Sequence, residues 1–482
     1  MPRSRKAGLV AFVSAIALFG GATLARADDL VDAIALAYQT NPTLQAQRAS
    51  QRALDESYVQ ARAELRPSVT VSASVATSDT HPSLVSQPVN SSGASISVTQ
   101  PIYSGGRAAS QISAAEADIL AGREGLRRVE QSVLQSVIAA YVDVRRDQQR
   151  LIIAEDNVAV LRRQLQEAQA RFDVGEITRT DVAQSQARLA GAQAQRSSAQ
   201  AALAISRANY ASVIGQNPGE LSPEPPLAGL LPASVQAAFD QAARDNPQVR
   251  QADYAEQASA ARVAAARALN RPTFALRGSM GVSGGAAGGS PFTDYTRNLS
   301  ASAVASFPLF TGGVNESSVR AAAERNNVDR LGIESARRQA TLQVAQAWNQ
   351  LLGARANLLA NEEQVRAATI AFEGTRQEAQ VGLRTTLDVL NAEQELRVAQ
   401  LALVDARHDE YVASAGVLAA IGALNVQSLA PNIPVYDPQR NLNRVRGAGA
   451  LPWDEVVEGV DRGGAPAIVT RPAPTPAPPL GR

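Results

Sequence analysis

Cysteine is absent from the 482-residue chain, and histidine and lysine nearly so, with two residues and one residue respectively. A chain without cysteine cannot form disulfides, a thiolate metal site, a cysteine nucleophile or an N-terminal lipoprotein anchor. The imidazoles belong to His81 and His408, which lie far apart in different contexts, so a metal cluster or a histidine-based triad has little to be built from. We therefore expect no enzymatic activity, no cofactor and no metal site.

Long apolar runs are also missing beyond the N-terminus. Residues 9–21 form a short apolar run that follows three basic side chains and precedes Ala25-Arg26-Ala27. These features are typical of a secretory signal peptide, which predicts removal of residues 1–27. No later stretch has the roughly 18 uninterrupted apolar residues of a membrane-spanning helix. We expect a mature chain without a transmembrane helix.

Neither sign of charge dominates the mature chain. Removing residues 1–27 takes away four basic side chains and no acidic ones, which leaves 42 basic against 45 acidic residues. The resulting net charge near −3 gives no reason to bind nucleic acid, and we expect no such partner.

The sequence is internally repeated. Asn41-Pro42 recurs as Asn246-Pro247, and Arg66-Pro67 recurs as Arg271-Pro272, both at a spacing of 205 residues. The spacing is 207 residues for Pro101 and Pro308, Gly105-Gly106 and Gly312-Gly313, Gly175 and Gly382, and Asp181 and Asp388. Such self-similarity, with one two-residue change in spacing, indicates a tandem duplication.

The repeat predicts how the mature chain is divided. Residues 28–216 would form the first structural repeat and residues 233–425 the second, joined by a linker at 217–232 whose prolines break any helix. Residues 426–446 would form a further, equatorial C-terminal segment. Residues 447–482 end in a proline-rich run and are expected to be disordered or extended, and dispensable, with binding of a partner as the alternative.

Each repeat is predicted to begin with one helical segment, at residues 30–65 and 233–270, that ends at an Arg-Pro pair because proline cannot continue a helix. Two strand-like runs follow, in which apolar residues alternate with small polar ones. The apolar positions are Val69, Val71, Ala73 and Val75; Ala94, Ile96 and Val98; Phe274, Leu276, Gly278, Met280 and Val282; and Leu299, Ala301, Ala303, Ala305 and Phe307. Period two over about ten residues is typical of transmembrane β-barrel strands, although a soluble strand with one wet face has the same pattern.

The longest predicted elements follow Gly106 and Gly313 and run for about 67 residues without proline, to Asp173 and Gln380. Both carry an apolar seven-residue period, which indicates coiled-coil packing. The period consists of Val137, Val144, Leu151, Val158, Leu165 and Phe172, and of Val344, Leu351, Leu358, Val365, Phe372 and Ala379. Another helix ends each repeat, from about Asp181 to Ile214 and from about Asp388 to Ile421.

Four strands per chain are too few to leave their edges open in a membrane. Three copies would supply twelve strands, an even number within the range of outer-membrane barrels. We therefore predict a mainly α fold with a membrane β-barrel. A homotrimer would close the strands into a twelve-stranded barrel and the coiled-coil helices into an α-helical barrel beneath it.

This organisation resembles the TolC family of outer-membrane efflux and secretion channels. The resemblance covers about residues 28–425 and rests on the duplication, the Asn-Pro and Arg-Pro pairs, and the turns Val174-Gly175 and Val381-Gly382-Leu383. The two exits from the predicted barrel also match, at Gln100-Pro101-Ile102-Tyr103-Ser104-Gly105-Gly106 and at Phe307-Pro308-Leu309-Phe310-Thr311-Gly312-Gly313.

The resemblance implies a homotrimer that sits in the lipid of the outer membrane and extends into the periplasm. It implies the exit duct of a tripartite efflux pump or a type I secretion system. Drugs or proteins would be delivered to it by an inner-membrane transporter and a periplasmic adaptor (membrane fusion) protein.

Two other protein classes are weighed against this interpretation. A structural coiled-coil protein of the periplasm or cell surface would share the signal peptide and the heptads, but it would not need two period-two hairpins at equivalent points of both repeats. A periplasmic adaptor would need lipoyl-like and barrel modules, and the sequence has no such β-rich segment.

The resemblance also implies roles for the two helix-turn-helix tips. Val174, Gly175, Val381, Gly382 and Leu383 would form the surface on which the adaptor docks. The alternative for these apolar residues is packing between the two turns of one subunit.

A gate and a selectivity position are implied at the same tips. Arg384 aligns with the family arginine that bridges to the Thr-Asp pair of the other tip, here Thr180-Asp181, and so holds the periplasmic end closed. Asp388 aligns with the first of two aspartates that ring the pore entrance, and Asn391 replaces the second, so we expect weaker attraction for cations. The alternatives are helix capping for Asp181 and Asp388 and simple solvation for Arg384.

Overall fold

The computed structural model of the chain describes residues 29–79, 88–287 and 289–470. The predicted signal peptide at residues 1–27 lies outside the described residues, as do the last twelve residues of the proline-rich tail. In the described part of the chain, no helix combines the length and the apolar character needed to cross a membrane.

The two repeats contain the same elements in the same order. The first consists of α1 (Leu30–Thr40), α2 (Pro42–Ala63), β1 (Ser68–Ser78), β2 (Val89–Tyr103), α3 (Arg107–Asp173) and α4 (Arg179–Ile214). The second consists of α5 (Val235–Asp245), α6 (Pro247–Ala268), β3 (Thr273–Ala287), β4 (Thr296–Ser306), α7 (Val314–Gln380) and α8 (Thr386–Ala420). Three short helices follow: α9 (Val426–Leu429), α10 (Pro438–Val445) and α11 (Asp454–Gly463).

The first helical segment of each repeat is broken in two, so the prediction of one continuous helix was wrong. The Asn41 side chain accepts hydrogen bonds from the backbone N–H groups of Thr43 and Leu44, at 3.0 and 3.3 Å, and Pro42 is the first residue of α2. Asn246 caps α6 in the same way. An Asn-Pro pair therefore ends one helix and starts the next, because asparagine supplies the cap and proline tolerates the first helical position.

The long helices have the predicted bounds. Each contains 67 residues and would be roughly 100 Å long at the helical rise. Each is preceded by a left-handed glycine, Gly106 with φ 82° and Gly313 with φ 85°. Val137, Val144 and Val344 of the predicted heptads are completely buried, as expected for the inner side of a coiled coil, whereas Phe172 near the first tip is 40% exposed.

The four strands form one antiparallel sheet in the order β1-β2-β3-β4. Val71, Ile96 and Met280 stand opposite one another across the strands and therefore lie on the same face. On the other face serine hydroxyls pair across strands, Ser72 with Ser95 and Ser279 with Ser300, at 2.8 and 2.7 Å. The sheet therefore has one apolar face and one polar face.

The main hydrophobic core lies midway along the molecule, where α1, α3, α4, α5, α7 and α8 meet the linker. Tyr141 and Tyr210 are fully buried at its centre, with ring centroids 6.5 Å apart. Tyr141 and Tyr411 donate hydrogen bonds to the linker carbonyls of Ser222 and Pro225. The linker is thus fixed to the core of both repeats.

The C-terminal region contradicts the expected disorder over residues 447–470. Helix α11 packs its Val457 against Leu65 and Ala108 in a small buried cluster. Asp461 is fully buried and accepts hydrogen bonds at the start of α3, and Asp454 forms an ion pair with Arg66 at 2.9 Å. The proline-rich composition of the last residues hid this preceding helix, whose carboxylates have specific partners.

Candidate functional site

The two helix-turn-helix tips are built on glycine. Gly175 and Gly382 have φ angles of 81° and 82°, in the left-handed region that glycine adopts without strain. The next residue in each turn donates its backbone N–H back to the preceding helix, Glu176 to Arg171 and Leu383 to Glu378, both at 2.9 Å. Glycine therefore ends each long helix and reverses the chain within a few residues.

Each tip turn is closed by a capping box at the start of the next helix. At the first tip the Asp181 carboxylate accepts from the Thr178 N–H at 2.9 Å, and Thr178 Oγ1 accepts from the Asp181 N–H at 3.4 Å. Thr385 and Asp388 form the same box at the second tip. The capping role of both aspartates is thus observed, with a threonine three residues earlier as the partner.

These hydrogen bonds keep the two aspartates charged. Donation from the Thr178 backbone holds the pKa of the Asp181 carboxyl below its usual range, and donation from the Thr385 backbone does the same for Asp388. Both carboxylates also lie near the positive end of a helix dipole. Each tip therefore carries a fixed negative charge at neutral pH.

Thr180 has a different environment from the one expected. It is the second residue of α4, and the hydroxyl that bonds to Asp181 belongs to Thr178, at 2.8 Å. The spacing Thr-X-X-Asp is the signal that identifies Thr178, and the same spacing identifies Thr385 at the second tip.

The apolar tip residues do not pack against one another. Val174 and Val381 are each 72% exposed and Leu383 is 75% exposed in the single chain. A side chain at Gly175 or Gly382 would have no neighbour within contact distance. The alternative explanation for these apolar residues, packing between the two turns of one subunit, is therefore not supported in the single chain.

Arg384 has a partner on its own tip. Its Nε donates to Glu378 at 2.8 Å, and Glu378 lies in the last turn of α7. The bond observed for Arg384 in the single chain is therefore to its own tip, through Nε, and its other N–H groups can bind a second acceptor. Sequence reasoning missed Glu378.

Asn391 joins the two repeats above the tips. Arg188 of α4 donates to its side-chain oxygen at 3.2 Å, so the position that follows Asp388 by three residues holds an amide bound to an arginine. Residue 391 therefore adds no second negative charge to that of Asp388.

Polar links between α3 and α8 continue along the helices above the tips. Arg397 and Glu393 form a nearly buried pair on α8, and Glu393 also accepts from Gln164 of α3 at 2.9 Å. Nearer the core, Arg150 of α3 binds both carboxylate oxygens of Asp405. Charged groups and a small apolar cluster thus connect the helices of the two repeats below the main core.

Comparison with known proteins places these features in a family context. The family described as "Outer membrane efflux protein" matches residues 33–216 and 238–423, once in each repeat. The chain is 33% identical over 438 residues to the outer membrane efflux protein BepC of Brucella suis, which covers 90% of this chain and 95% of that protein. It is 30% identical over 343 residues to the alkaline protease secretion protein AprF of Pseudomonas aeruginosa, covering 69% and 70% of the two chains.

The fold is also that of a solved channel. The crystal structure of the Campylobacter jejuni CmeC outer membrane channel superposes with a TM-score of 0.70 at 14% identity, and covers 86% of this chain and 88% of that one.

Proposed function

This chain belongs to the outer membrane efflux protein family, and we propose that three copies of it enclose a continuous tunnel through the outer membrane and the periplasm. It is an outer-membrane channel that serves as the exit duct of an efflux or secretion system. The family consists of channels and not of enzymes.

The four-stranded sheet is the main observation that supports a trimer. One of its faces is mostly apolar, with Ser92, Gln100 and Arg297 as polar exceptions, and β1 and β4 are its edges within the described chain. Unpaired backbone groups on a strand edge cannot be left in lipid, so the edges must meet other strands. Joining β1 of one copy to β4 of the next would close twelve strands with the apolar face towards lipid and the serine-rich face towards the lumen.

Helix α7 supports the same assembly. One heptad seam packs within the chain, but a second seam is exposed in the single chain. Its members are Val328, Leu331, Leu342, Leu352, Leu359 and Ile370, separated by three, seven, ten or eleven residues. These separations are sums of three, four and seven, as a second coiled-coil contact requires. We propose that a helix of the neighbouring subunit covers this seam.

The partners are proposed at the tips. Each tip carries exposed apolar side chains, Val174 on the first and Val381 and Leu383 on the second, and exposed apolar surface marks protein contacts. A periplasmic adaptor would dock there and connect the channel to an inner-membrane transporter. AprF is named for protease secretion and BepC for efflux, and this chain would carry proteins, drugs or both.

The proposal is tested by isolating the protein from the outer membrane. We expect extraction to require detergent, the purified complex to have the mass of three chains, and planar bilayers containing it to conduct ions. Deleting the gene and comparing secreted proteins with drug sensitivity then identifies the cargo. Release without detergent, as a particle that forms no pores, would favour a structural coiled-coil protein.

We propose that Arg384 closes the periplasmic end by leaving Glu378 and binding the Thr180-Asp181 region of a neighbouring subunit. A guanidinium presents a planar fork of donors and can bind a carboxylate and a hydroxyl at once. A single exposed bridge is weak in water, but threefold symmetry would repeat it around the pore.

The gate is tested by conductance in planar bilayers. Arg384→Ala and Asp181→Ala should each raise it, and the double variant should exceed neither by much because both remove one bridge. Thr178→Ala is the matched control, since it removes the capping partner but keeps the Asp181 carboxylate. Glu378→Gln should not raise conductance, because it frees Arg384 for the bridge. A rise in Thr178→Ala equal to that in Asp181→Ala would assign the effect to the cap.

We also propose that Asp388 sets the cation preference of the entrance. Three copies would place three carboxylates around it, and a ring of like charge attracts cations into a pore. Asp388→Asn should reduce the preference for potassium over chloride and weaken block by multivalent cations, whereas Glu363→Gln, an exposed carboxylate farther up α7, should change neither. An unchanged reversal potential in Asp388→Asn would contradict this role.

A further inference from the structure

Helix α11 is fixed at one end of the sheet. Asp461 accepts hydrogen bonds from the backbone N–H groups of Ser104, Gly106 and Ala109, at 2.6, 3.1 and 3.0 Å. Ser104 directly follows the last residue of β2. The helix therefore lies where the barrel strands pass into the long helices, which is the periplasmic rim of the barrel.

The segment after α11 lies on the apolar face of the sheet. Tyr103 stands opposite Phe274, with ring centroids 6.1 Å apart, and Phe274 shares its face with Leu276 and Met280. Gly464 packs so closely on the Tyr103 ring that a side chain there would collide with it. The C-terminal segment thus lies beside the apolar face, which is the outer, lipid-facing side in the proposed trimer.

One side of α11 exposes apolar residues beside this contact. Asp454, Val457 and Asp461 are buried against the protein. Trp453, Val456 and Val460 are spaced three and four residues apart, so they share a second side, and they are 48%, 67% and 51% exposed. We call these three residues the C-terminal stripe.

The level of the stripe is marked by aromatic residues. At the end of the sheet where the helices begin stand Tyr103, Phe274, Phe307 and Phe310, and at the opposite end stand Phe292 and Tyr295. Aromatic girdles mark the two interfaces of outer-membrane barrels, where amphipathic rings lie at the level of the lipid headgroups. Asp454, which follows Trp453, pairs with Arg66 just before β1, so Trp453 lies near the helix end of the sheet, the end that carries this first group of aromatic residues.

We propose that the C-terminal stripe lies in the interfacial layer of the inner leaflet, where Trp453, Val456 and Val460 bind phospholipid and α11 forms a lipid-resting collar at the periplasmic rim. Short amphipathic helices bind at this depth by burying one apolar side. The ionisable side chains Asp454 and Glu458 are turned to Arg66 and Arg62, which leaves the stripe uncharged. This inference rests on the proposed trimer, with the apolar face of its barrel towards the lipid of the outer membrane, and not on its cargo.

Tryptophan fluorescence tests the proposal, because the chain has two tryptophans. Trp348→Phe leaves Trp453 as the reporter, and Trp453→Phe leaves Trp348, which lies roughly 50 Å along α7 from the sheet. The trimer is reconstituted into phosphatidylcholine vesicles, with or without bromine near the start of the acyl chains. We expect about twofold quenching of Trp453 by brominated lipid, as for a residue at the interface, and none of Trp348.

Conductance of the same vesicles establishes insertion separately from the position of the stripe. Val456→Glu with Val460→Glu should abolish the quenching while conductance persists, whereas Glu455→Gln, on the exposed polar side of α11, should preserve it. Unquenched Trp453 in conducting vesicles would overturn the proposal. Acrylamide then identifies the alternative: quenching by acrylamide places the stripe in water, and protection from both quenchers places it against a neighbouring subunit.

Discussion

Replacing Gly382 with arginine should abolish export while leaving the channel inserted and trimeric. The turn has room for a side chain but sits at the centre of the exposed apolar tip, so a long charged group would stand between Val381 and Leu383 and any docked partner. Buried charge without a partner is costly at an interface. We expect the loss of export to approach that of a gene deletion, measured as secreted protein or as drug accumulation in cells.

Two controls separate docking from strain at the turn. Gly382→Ala introduces the same unfavourable left-handed backbone without bulk or charge, and it should retain most export. Gly374→Arg places the same side chain two turns up α7, at a helical position that also has open space around it, and it should export normally. Wild-type export by an inserted Gly382→Arg trimer would reject the docking surface. Equal loss in Gly382→Ala would assign the effect to the turn.

Periodicity made most of the fold predictable. The alternation in β1 and the heptads of α3 depend on which face of a regular element is buried, and that information is local. The bounds of α3 were predictable for the same reason, since Gly106 and the Gly175 turn punctuate a proline-free run. The break at Asn41 was predictable in principle from its Asn-Pro pair, but a helical pattern on both sides concealed it.

The parts that could not be predicted depend on contacts between distant segments. Arg384 binds Glu378 across a turn. Whether Arg384 meets Glu378 or Asp181 depends on the three-dimensional path of the tip. Asp461 is one carboxylate in a C-terminal region rich in proline and glycine, and nothing local indicates that it meets Ser104 more than 350 residues earlier. The proline-rich composition predicted disorder in this region because composition gives no information about a contact with a distant residue such as Ser104.

Asp461 also connects the C-terminal region to the start of α3. The first residues of α3 have backbone N–H groups without helical partners, and Gly106 cannot cap them because it has no side chain. Asp461 supplies the cap from the other end of the chain, and the Ser104 hydroxyl donates to it as well, at 2.9 Å. A side chain at Gly106 would collide with Ala465, so the segment after α11 closes over this junction.

Asp461→Ala should therefore clearly lower the stability of the channel. It leaves several buried donors without an acceptor, and loss of a cap together with unsatisfied buried groups costs about 2–4 kcal/mol. We expect the trimer to dissociate in detergent at a clearly lower temperature, and truncation after residue 450 to reproduce the effect. Asp461→Asn keeps one acceptor oxygen and should be intermediate, while Glu455→Ala, an exposed acid on the same helix, should match the wild type. Equal dissociation temperatures for the truncated and full-length trimers would mean that the contacts of α11 add nothing to stability, as the sequence-based expectation of a dispensable tail requires.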